Sequence, residues 1–170
     1  MAPDLITLLG LFWALLAVGV VRYSAALAAI FVLVSALTDG VDGCVAALTD
    51  RATRFGFVLD SLVDRASDGL FLLALAMAGG GSRLAVAAGC AIVALEYTRA
   101  RAGAGGLQEI GVVTIGERAT RTIATAMGLI GSQMIFEKPF IGANLGLGIT
   151  FAASVVGTIQ LVSYLWKRWR

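Results

Sequence analysis

Six long apolar segments, separated by short polar or glycine-rich breaks, run through this chain of 170 residues. They lie at about 5–21, 25–48, 55–78, 84–100, 119–136 and 145–166, and each approaches the roughly 20 residues that a helix needs to cross a bilayer. Only 14% of the residues are charged, against about a quarter in a soluble domain. The sequence therefore predicts an all-α, polytopic membrane protein, in which residues 1–170 form a single domain of six transmembrane helices.

The basic residues fall mainly on one predicted side of the membrane. The other side carries only Arg22, Arg83 and Lys138. Cytoplasmic loops carry an excess of Lys and Arg. This asymmetry predicts that both termini are cytoplasmic and that the protein is a multi-pass component of the cell (inner or plasma) membrane. The basic side carries Arg51, Arg54, Arg99, Arg101, Arg118, Arg121, Lys167, Arg168 and Arg170.

Composition excludes several kinds of site. The chain has no histidine, which removes the usual proton-transfer group at neutral pH and the commonest zinc ligand. Cys44 and Cys90 lie in separate apolar segments without CxxC spacing, so neither a disulfide framework nor a zinc site is indicated. A net charge of +2 is too small to suggest a nucleic-acid partner.

Four aspartates, Asp39, Asp42, Asp60 and Asp64, interrupt the second and third apolar segments. Their spacings of three and four place each pair on one helix face. The short break at 49–54 would make the two helices antiparallel neighbours, so all four carboxylates should converge near the cytoplasmic surface.

Carboxylates in an apolar setting require compensating positive charge. All-oxygen ligation suits Mg²⁺ or Mn²⁺, and four carboxylates can hold two divalent ions, a recurring arrangement for displacement at phosphorus. The alternative is neutralisation by arginines, for which Arg51, Arg54 and Arg65 are available.

The same residues resemble a family signature. Members of the CDP-alcohol phosphotransferase family carry D-x-x-D-G-x-x-A-R followed, after eight or nine residues, by G-x-x-x-D-x-x-x-D. The residues that match in place are Asp39, Asp42, Gly43, Ala46, Gly56, Asp60 and Asp64. The opening 3–7 also resembles the family's Pro-Asn/Asp-x-x-Thr start, and the six-span layout resembles the family core.

The resemblance implies a reaction and roles. An acceptor hydroxyl would attack the β-phosphorus of a CDP-linked alcohol, with CDP-diacylglycerol favoured as donor, and CMP would be released at the cytoplasmic face. Asp39, Asp42, Asp60 and Asp64 would hold two divalent cations, and Asp64 would also act as general base. The family is commonly dimeric, which implies a homodimer. Donor contacts are implied at Pro3, Asp4, Gly43, Ala46, Thr53 and Gly56.

One position departs from the signature. The motif arginine, which in the family helps to hold the nucleotide donor, is Ala47 here. Arg51 lies one turn further on and Arg54 follows in the break, and either side chain is long enough to reach back towards a pyrophosphate. We hypothesise that these arginines take over the contact.

The acceptor side is predicted at the ends of the fourth and fifth segments. Arg99, Arg118 and Arg121 would form a basic pocket for a phosphorylated acceptor, because arginine binds phosphate in bidentate fashion. The stretch around Arg99 resembles the Tyr-x-Arg/Lys-Ala-Arg of bacterial phosphatidyl-transferring members of the family. Two alternatives remain: the arginines reflect only the positive-inside bias, or Glu96 repels phosphate and the acceptor, a small polar alcohol, is neutral or cationic.

Three further points complete the expectations. Asp68, one turn beyond Asp64, is predicted to pair with Arg65 or Arg99 rather than to bind metal. The spacings Gly128-x-x-x-Ser132 and Gly142-x-x-x-Gly146 indicate close helix packing. Two other functions remain open: a catalytically impaired homologue that binds CDP-lipid or metal, favoured by Ala47, and a divalent-cation transporter, since intramembrane acids also mark ion pathways.

Overall fold

The computed structural model describes residues 3–49, 53–106, 113–135 and 137–168; for 3, 4, 41–49 and 54 the description is of the backbone. The described residues form six α-helices and no strands, which confirms the all-α prediction. The helices are α1 (Pro3–Val20), α2 (Ala25–Thr49), α3 (Arg54–Met77), α4 (Ser82–Ala104), α5 (Arg118–Met134) and α6 (Pro139–Arg168). The last helix begins earlier than its predicted span because Pro139 suits a first helical turn.

The two ends of α3 follow from local sequence. Thr53 is the N-cap, and its Oγ1 accepts a hydrogen bond from the backbone amide of Gly56 at 2.9 Å, which satisfies an otherwise unpaired donor of the first turn. After the helix, Gly79 adopts φ +111° and the amide of Gly80 donates to the carbonyl of Leu75 at 3.0 Å. This left-handed turn, which favours glycine, leads the chain into α4.

Helices α2 and α3, which carry the aspartates, are held by the same two neighbours. Each packs against α1 and against α5, whereas direct contact between α2 and α3 is minor among the described residues. The sequence predicted that these two helices are antiparallel neighbours. Their carboxylates do meet, since oxygens of Asp39, Asp60 and Asp64 lie within 4.8 Å of one another, and the antiparallel arrangement stays a prediction. Ala14, Ala17 and Ala28 are fully buried and let α1 approach α2 closely.

Glycine mediates the contact between α5 and α6. A Cβ added at Gly142 would lie 2.2 Å from the backbone nitrogen of Ser132, and one added at Gly146 would lie 3.1 Å from the Cα of Gly128. The two backbones are therefore in direct contact at both places. The predicted small-residue packing of this pair is confirmed.

The main apolar core lies away from the aspartates. It fills the space between the second half of α1, the first half of α2 and the second half of α3, with contributions from α4, α5 and α6. Asp39 instead lies in the second half of α2, and Asp64 in the first half of α3. The main apolar core thus fills one half of the bundle, and the clustered carboxylates lie in the other half, which also contains a smaller apolar cluster of Leu95, Ala102, Leu161 and Leu165.

Among the described residues, α6 (Pro139–Arg168) is the one helix that is both long and apolar enough to cross a membrane. The stretches Leu5–Val20 and Ala25–Gly40 are apolar but shorter. These lengths leave the six-span arrangement and the orientation of the termini as predictions.

Candidate active site

Three of the four predicted metal ligands come together where α2 meets α3. One carboxylate oxygen from each of Asp39, Asp60 and Asp64 lies within 4.8 Å of the others, and all three residues are half-buried. Oxygens that share one Mg²⁺ or Ca²⁺ at 2.0–2.6 Å have about this mutual spacing. The backbone of Asp42 belongs to α2, one turn from Asp39, but its side chain lies outside the described residues.

A guanidinium group already bridges two of these carboxylates. Nη1 of Arg118, the first residue of α5, pairs with both Asp39 and Asp64. Arg118 is only 17% exposed, and its Nε has no hydrogen-bond partner among the described residues. The carboxylates therefore hold a positive group in this conformation. A donor set of carboxylate oxygens that attracts positive charge fits Mg²⁺ or Mn²⁺.

Behind this group lies a buried ionic network. Arg121 is 2% exposed, and its guanidinium donates to Asp68 at 3.1 Å, to Glu96 at 3.0 Å and to the carbonyl of Gly116 at 2.6 Å. Arg65 approaches Asp68 at 3.5 Å and Glu96 at 3.3 Å. The predicted pairing of Asp68 with Arg65 is confirmed, and Arg121 is a second partner. Buried charges of this kind are tolerated because each is paired.

Arg99 fixes the start of α5. Its two terminal nitrogens donate to the Glu117 carboxylate at 2.7 and 3.1 Å, and the amide of Thr114 donates to the same carboxylate at 3.1 Å. Burial alone would raise the pKa of Glu117, but the hydrogen bonds from Arg99 and Thr114 together outweigh it and lower that pKa. Because Glu117 precedes Arg118, this clamp also sets where the bridging arginine starts.

The positive and negative charges of the described ionisable groups in the site do not cancel. When all are ionised, six acids face four arginines, which leaves a net charge of −2. The acids are Asp39, Asp60, Asp64, Asp68, Glu96 and Glu117, and the arginines are Arg65, Arg99, Arg118 and Arg121. Such an excess favours the binding of a divalent cation.

A cavity of about 780 Å³ opens between α3 and α4 beside this cluster. Its polar lining comes from Ser61, Asp64, Arg65, Glu96, Tyr97 and Arg99. Much of the remaining lining is apolar, from residues such as Phe57, Val93 and Ala100. Substrate-sized space thus reaches the carboxylate predicted to act as base.

The predicted acceptor arginines are fully described by the structure, whereas most of the predicted donor side chains are not. Thr53 and Gly56 are joined in the cap of α3, whereas the side chains of Pro3, Asp4 and Ala46 lie outside the described residues, as does the side chain of Ala47. Gly43 is described only as part of the α2 backbone. The three predicted acceptor arginines lie around the cluster, and each is paired with a carboxylate.

Sequence reasoning missed the Arg121–Asp68 pair and the Glu117–Thr114 clamp. A signal for the first was present. Arg118 and Arg121 are three residues apart on α5, and Asp64 and Asp68 are four apart on α3, so each pair shares a helix face. Two basic positions facing two acidic positions predict the pairing once the helices are known to pack.

Known proteins resemble this chain over nearly its whole length. The family profile described as CDP-alcohol phosphatidyltransferase matches residues 1–164. The chain is 33% identical over 168 residues to the archaetidylinositol phosphate synthase of Methanothermobacter thermautotrophicus, covering 97% of this chain and 83% of that protein. It is 30% identical over 175 residues to the phosphatidylinositol phosphate synthase of Mycolicibacterium smegmatis, covering 95% of this chain and 76% of that protein.

A solved structure matches as well. The crystal structure of Mycobacterium tuberculosis phosphatidylinositol phosphate synthase with CDP-DAG bound superposes with a TM-score of 0.74 at 27% identity, covering 98% of this chain and 87% of that one. Fold and sequence thus agree over nearly the whole chain, including the helices that carry the aspartates. The chain belongs to the CDP-alcohol phosphatidyltransferase family.

Proposed function

We propose that this enzyme transfers a phosphatidyl group from CDP-diacylglycerol, or a related CDP-alcohol, to the hydroxyl of a small polar acceptor, with release of CMP, as a step of phospholipid synthesis. The convergence of Asp39, Asp60 and Asp64 beside a substrate-sized cavity carries the proposal. The CDP-DAG bound in the structural relative from Mycobacterium tuberculosis supports this donor.

The chemistry assigns a role to each carboxylate. The acceptor oxygen forms a bond to the β-phosphorus of the donor, the bond from that phosphorus to the bridging oxygen breaks, and CMP leaves with the electron pair. Asp64 accepts the proton of the attacking hydroxyl. Asp39, Asp42 and Asp60, together with Asp64, would hold two Mg²⁺ or Mn²⁺ ions. Bound divalent ions neutralise a pyrophosphate and its leaving group.

The acceptor is best explained as a phosphate ester. Arg99 lines the cavity and is 28% exposed, so its guanidinium can bind a phosphate while it remains paired with Glu117. The charge of Glu96 is compensated by Arg121 and Arg65, which weakens its repulsion of a phosphate. Because Arg121 is only 2% exposed, we assign it the task of positioning Glu96 and Asp68. Two relatives named as synthases of inositol phosphate lipids are consistent with this acceptor class.

Exposed apolar side chains support a membrane arrangement. All six helices expose large apolar side chains, for example Phe12 at 50%, Phe57 at 75% and Met127 at 63%. Soluble proteins rarely expose contiguous apolar surface on this scale. We therefore propose six membrane-spanning helices with both termini and the carboxylates at the cytoplasmic face, and a homodimer by analogy with the family.

Two other functions give different results in the same assay. An impaired homologue that binds CDP-lipid without turnover is favoured by Ala47, where the family signature has arginine. A divalent-cation transporter is disfavoured because the described ionisable cluster lies at one end of the bundle and the apolar core fills the other.

The test uses the purified protein in liposomes with CDP-diacylglycerol, Mg²⁺ or Mn²⁺ and a panel of acceptors: glycerol 3-phosphate, inositol 3-phosphate, inositol and serine. We expect CMP release that requires both the metal and one phosphorylated acceptor. Donor binding without CMP release with any acceptor would indicate the impaired homologue. Uptake of ⁵⁴Mn into the liposomes without use of the donor would indicate a transporter.

A further inference from the structure

Arg118 pairs with two of the carboxylates that would hold a metal ion in the proposed function. Its Nη1 bridges Asp39 and Asp64, and both carboxylates belong to the group whose oxygens lie within 4.8 Å of one another. A cation ligated by these oxygens and a guanidinium hydrogen-bonded to them compete for the same lone pairs. The guanidinium of Arg118 and a metal ion therefore cannot both bind these oxygens at the same time.

We infer that Arg118 is a built-in counter-ion of the metal site: its guanidinium holds the carboxylates together before the metal binds, and metal loading displaces it. This rests on the metal site of the proposed function. The role is one of positioning, and it has a second consequence. Displacement removes the guanidinium from Asp64, the proposed base, and frees a cation beside the cavity for a substrate phosphate.

The surroundings of Arg118 favour such a movement. Its Nε has no hydrogen-bond partner among the described residues, so the bridging conformation leaves one buried donor unsatisfied, which costs free energy. The backbone does not need to follow, because Glu117 is clamped by Arg99 and Thr114. The long side chain alone can move, while Arg121 and Asp68 keep α5 against α3.

The positive charge of Arg118 determines whether its removal strengthens or weakens metal binding. Removing Arg118 leaves Asp39 and Asp64 without their bridging cation, and like charges at this distance raise the affinity for any cation that replaces it. Damage to the site would instead weaken metal binding. A variant without the guanidinium that binds metal more tightly is therefore a result that a merely structural role does not predict.

The first experiment titrates Mn²⁺ into detergent-purified protein without donor, with free Mn²⁺ measured by electron paramagnetic resonance. We expect Arg118→Gln to lower the Mn²⁺ Kd by about tenfold, the scale of one charge-assisted hydrogen bond. Arg118→Lys should stay near wild type. Arg101→Gln is the matched control, because Arg101 is exposed and forms no ion pair among the described residues. An equal or higher Kd in a folded Arg118→Gln protein overturns the inference.

A second measurement uses the wild-type protein and decides the matter if Arg118→Gln does not fold. Phenylglyoxal modification of each arginine is followed by peptide mass spectrometry with and without Mg²⁺. We expect Mg²⁺ to speed modification of Arg118 several-fold and to leave Arg101 unchanged; equal rates at Arg118 overturn the inference. Neither assay contains donor, so a failure of CMP release does not affect them. Absence of Mn²⁺ binding to both wild type and Arg118→Gln would instead refute the metal site itself.

Discussion

At the residue scale, position 47 separates this chain from its family signature. Asp39, Asp42, Gly43 and Ala46 match the signature, and the next position is Ala47 where the family has arginine. A missing guanidinium removes a bidentate phosphate contact and leaves the carboxylates in place. The deficit, if donor binding has one, should therefore appear in affinity for the nucleotide rather than in metal binding.

Restoring the arginine tests this directly. We expect Ala47→Arg to tighten binding of CDP in the presence of Mg²⁺ by at least about tenfold, because one charge-assisted hydrogen bond to phosphate is typically of that size. Calorimetric titration of the purified protein gives the Kd. Ala47→Gln is the control, since it adds a long polar side chain without charge. Unchanged affinity in Ala47→Arg would indicate that other groups, such as Arg51 or Arg54, already supply the contact.

Part of the site was predictable at this scale. The spacing of Asp39 with Asp42 and that of Asp60 with Asp64 are sufficient to predict a common face on each helix, because helical periodicity is local. The pairing of Arg121 with Asp68 was not predicted, because it depends on how α5 packs against α3. Nor does sequence alone show that Arg118 bridges Asp39 and Asp64.

At the element scale, α5 and α6 can pack backbone to backbone because glycine has no side chain to separate them. The backbone of Gly131 and Ser132 lies where a Cβ on Gly142 would be. Since α5 begins at Arg118, this contact also holds in place the helix that presents the bridging arginine. The small-residue spacing predicted the interface, whereas no local pattern records that α2 and α3 both pack against α1 and α5.

A pair of glycine substitutions in α6 measures how much the α5–α6 interface contributes to the stability of the protein. We expect Gly142→Ala to destabilise the protein by about 2 kcal/mol, because overpacking forces the backbones apart. Gly148→Ala should be neutral or slightly stabilising, since nothing lies within 4 Å of its Cβ position and alanine favours a helix. Thermal unfolding in detergent compares the two variants. Equal unfolding temperatures would contradict close α5–α6 contact.

At the scale of the whole molecule, the bundle has two different ends. The buried apolar core occupies one end, and the other holds the carboxylates, the paired arginines and the cavity beside Asp64. In the proposed six-span arrangement, this polarity would put the chemistry near one membrane surface, where a soluble nucleotide and a lipid could both reach it. Composition predicted the helical class and the membrane setting, but the cavity depends on the distance between α3 and α4, which the sequence does not encode locally.

The central claim is that Asp64 works as a base beside a metal site in CMP release from a CDP-lipid. The most direct test measures metal- and acceptor-dependent CMP release by wild type, by Asp64→Asn and by Glu137→Gln. Glu137→Gln makes the same acid-to-amide change at an exposed position at the other end of the bundle. We predict that Asp64→Asn lowers turnover at least about a hundredfold, as loss of a general base does, and that Glu137→Gln matches wild type. Wild-type turnover in a folded Asp64→Asn protein would contradict the account.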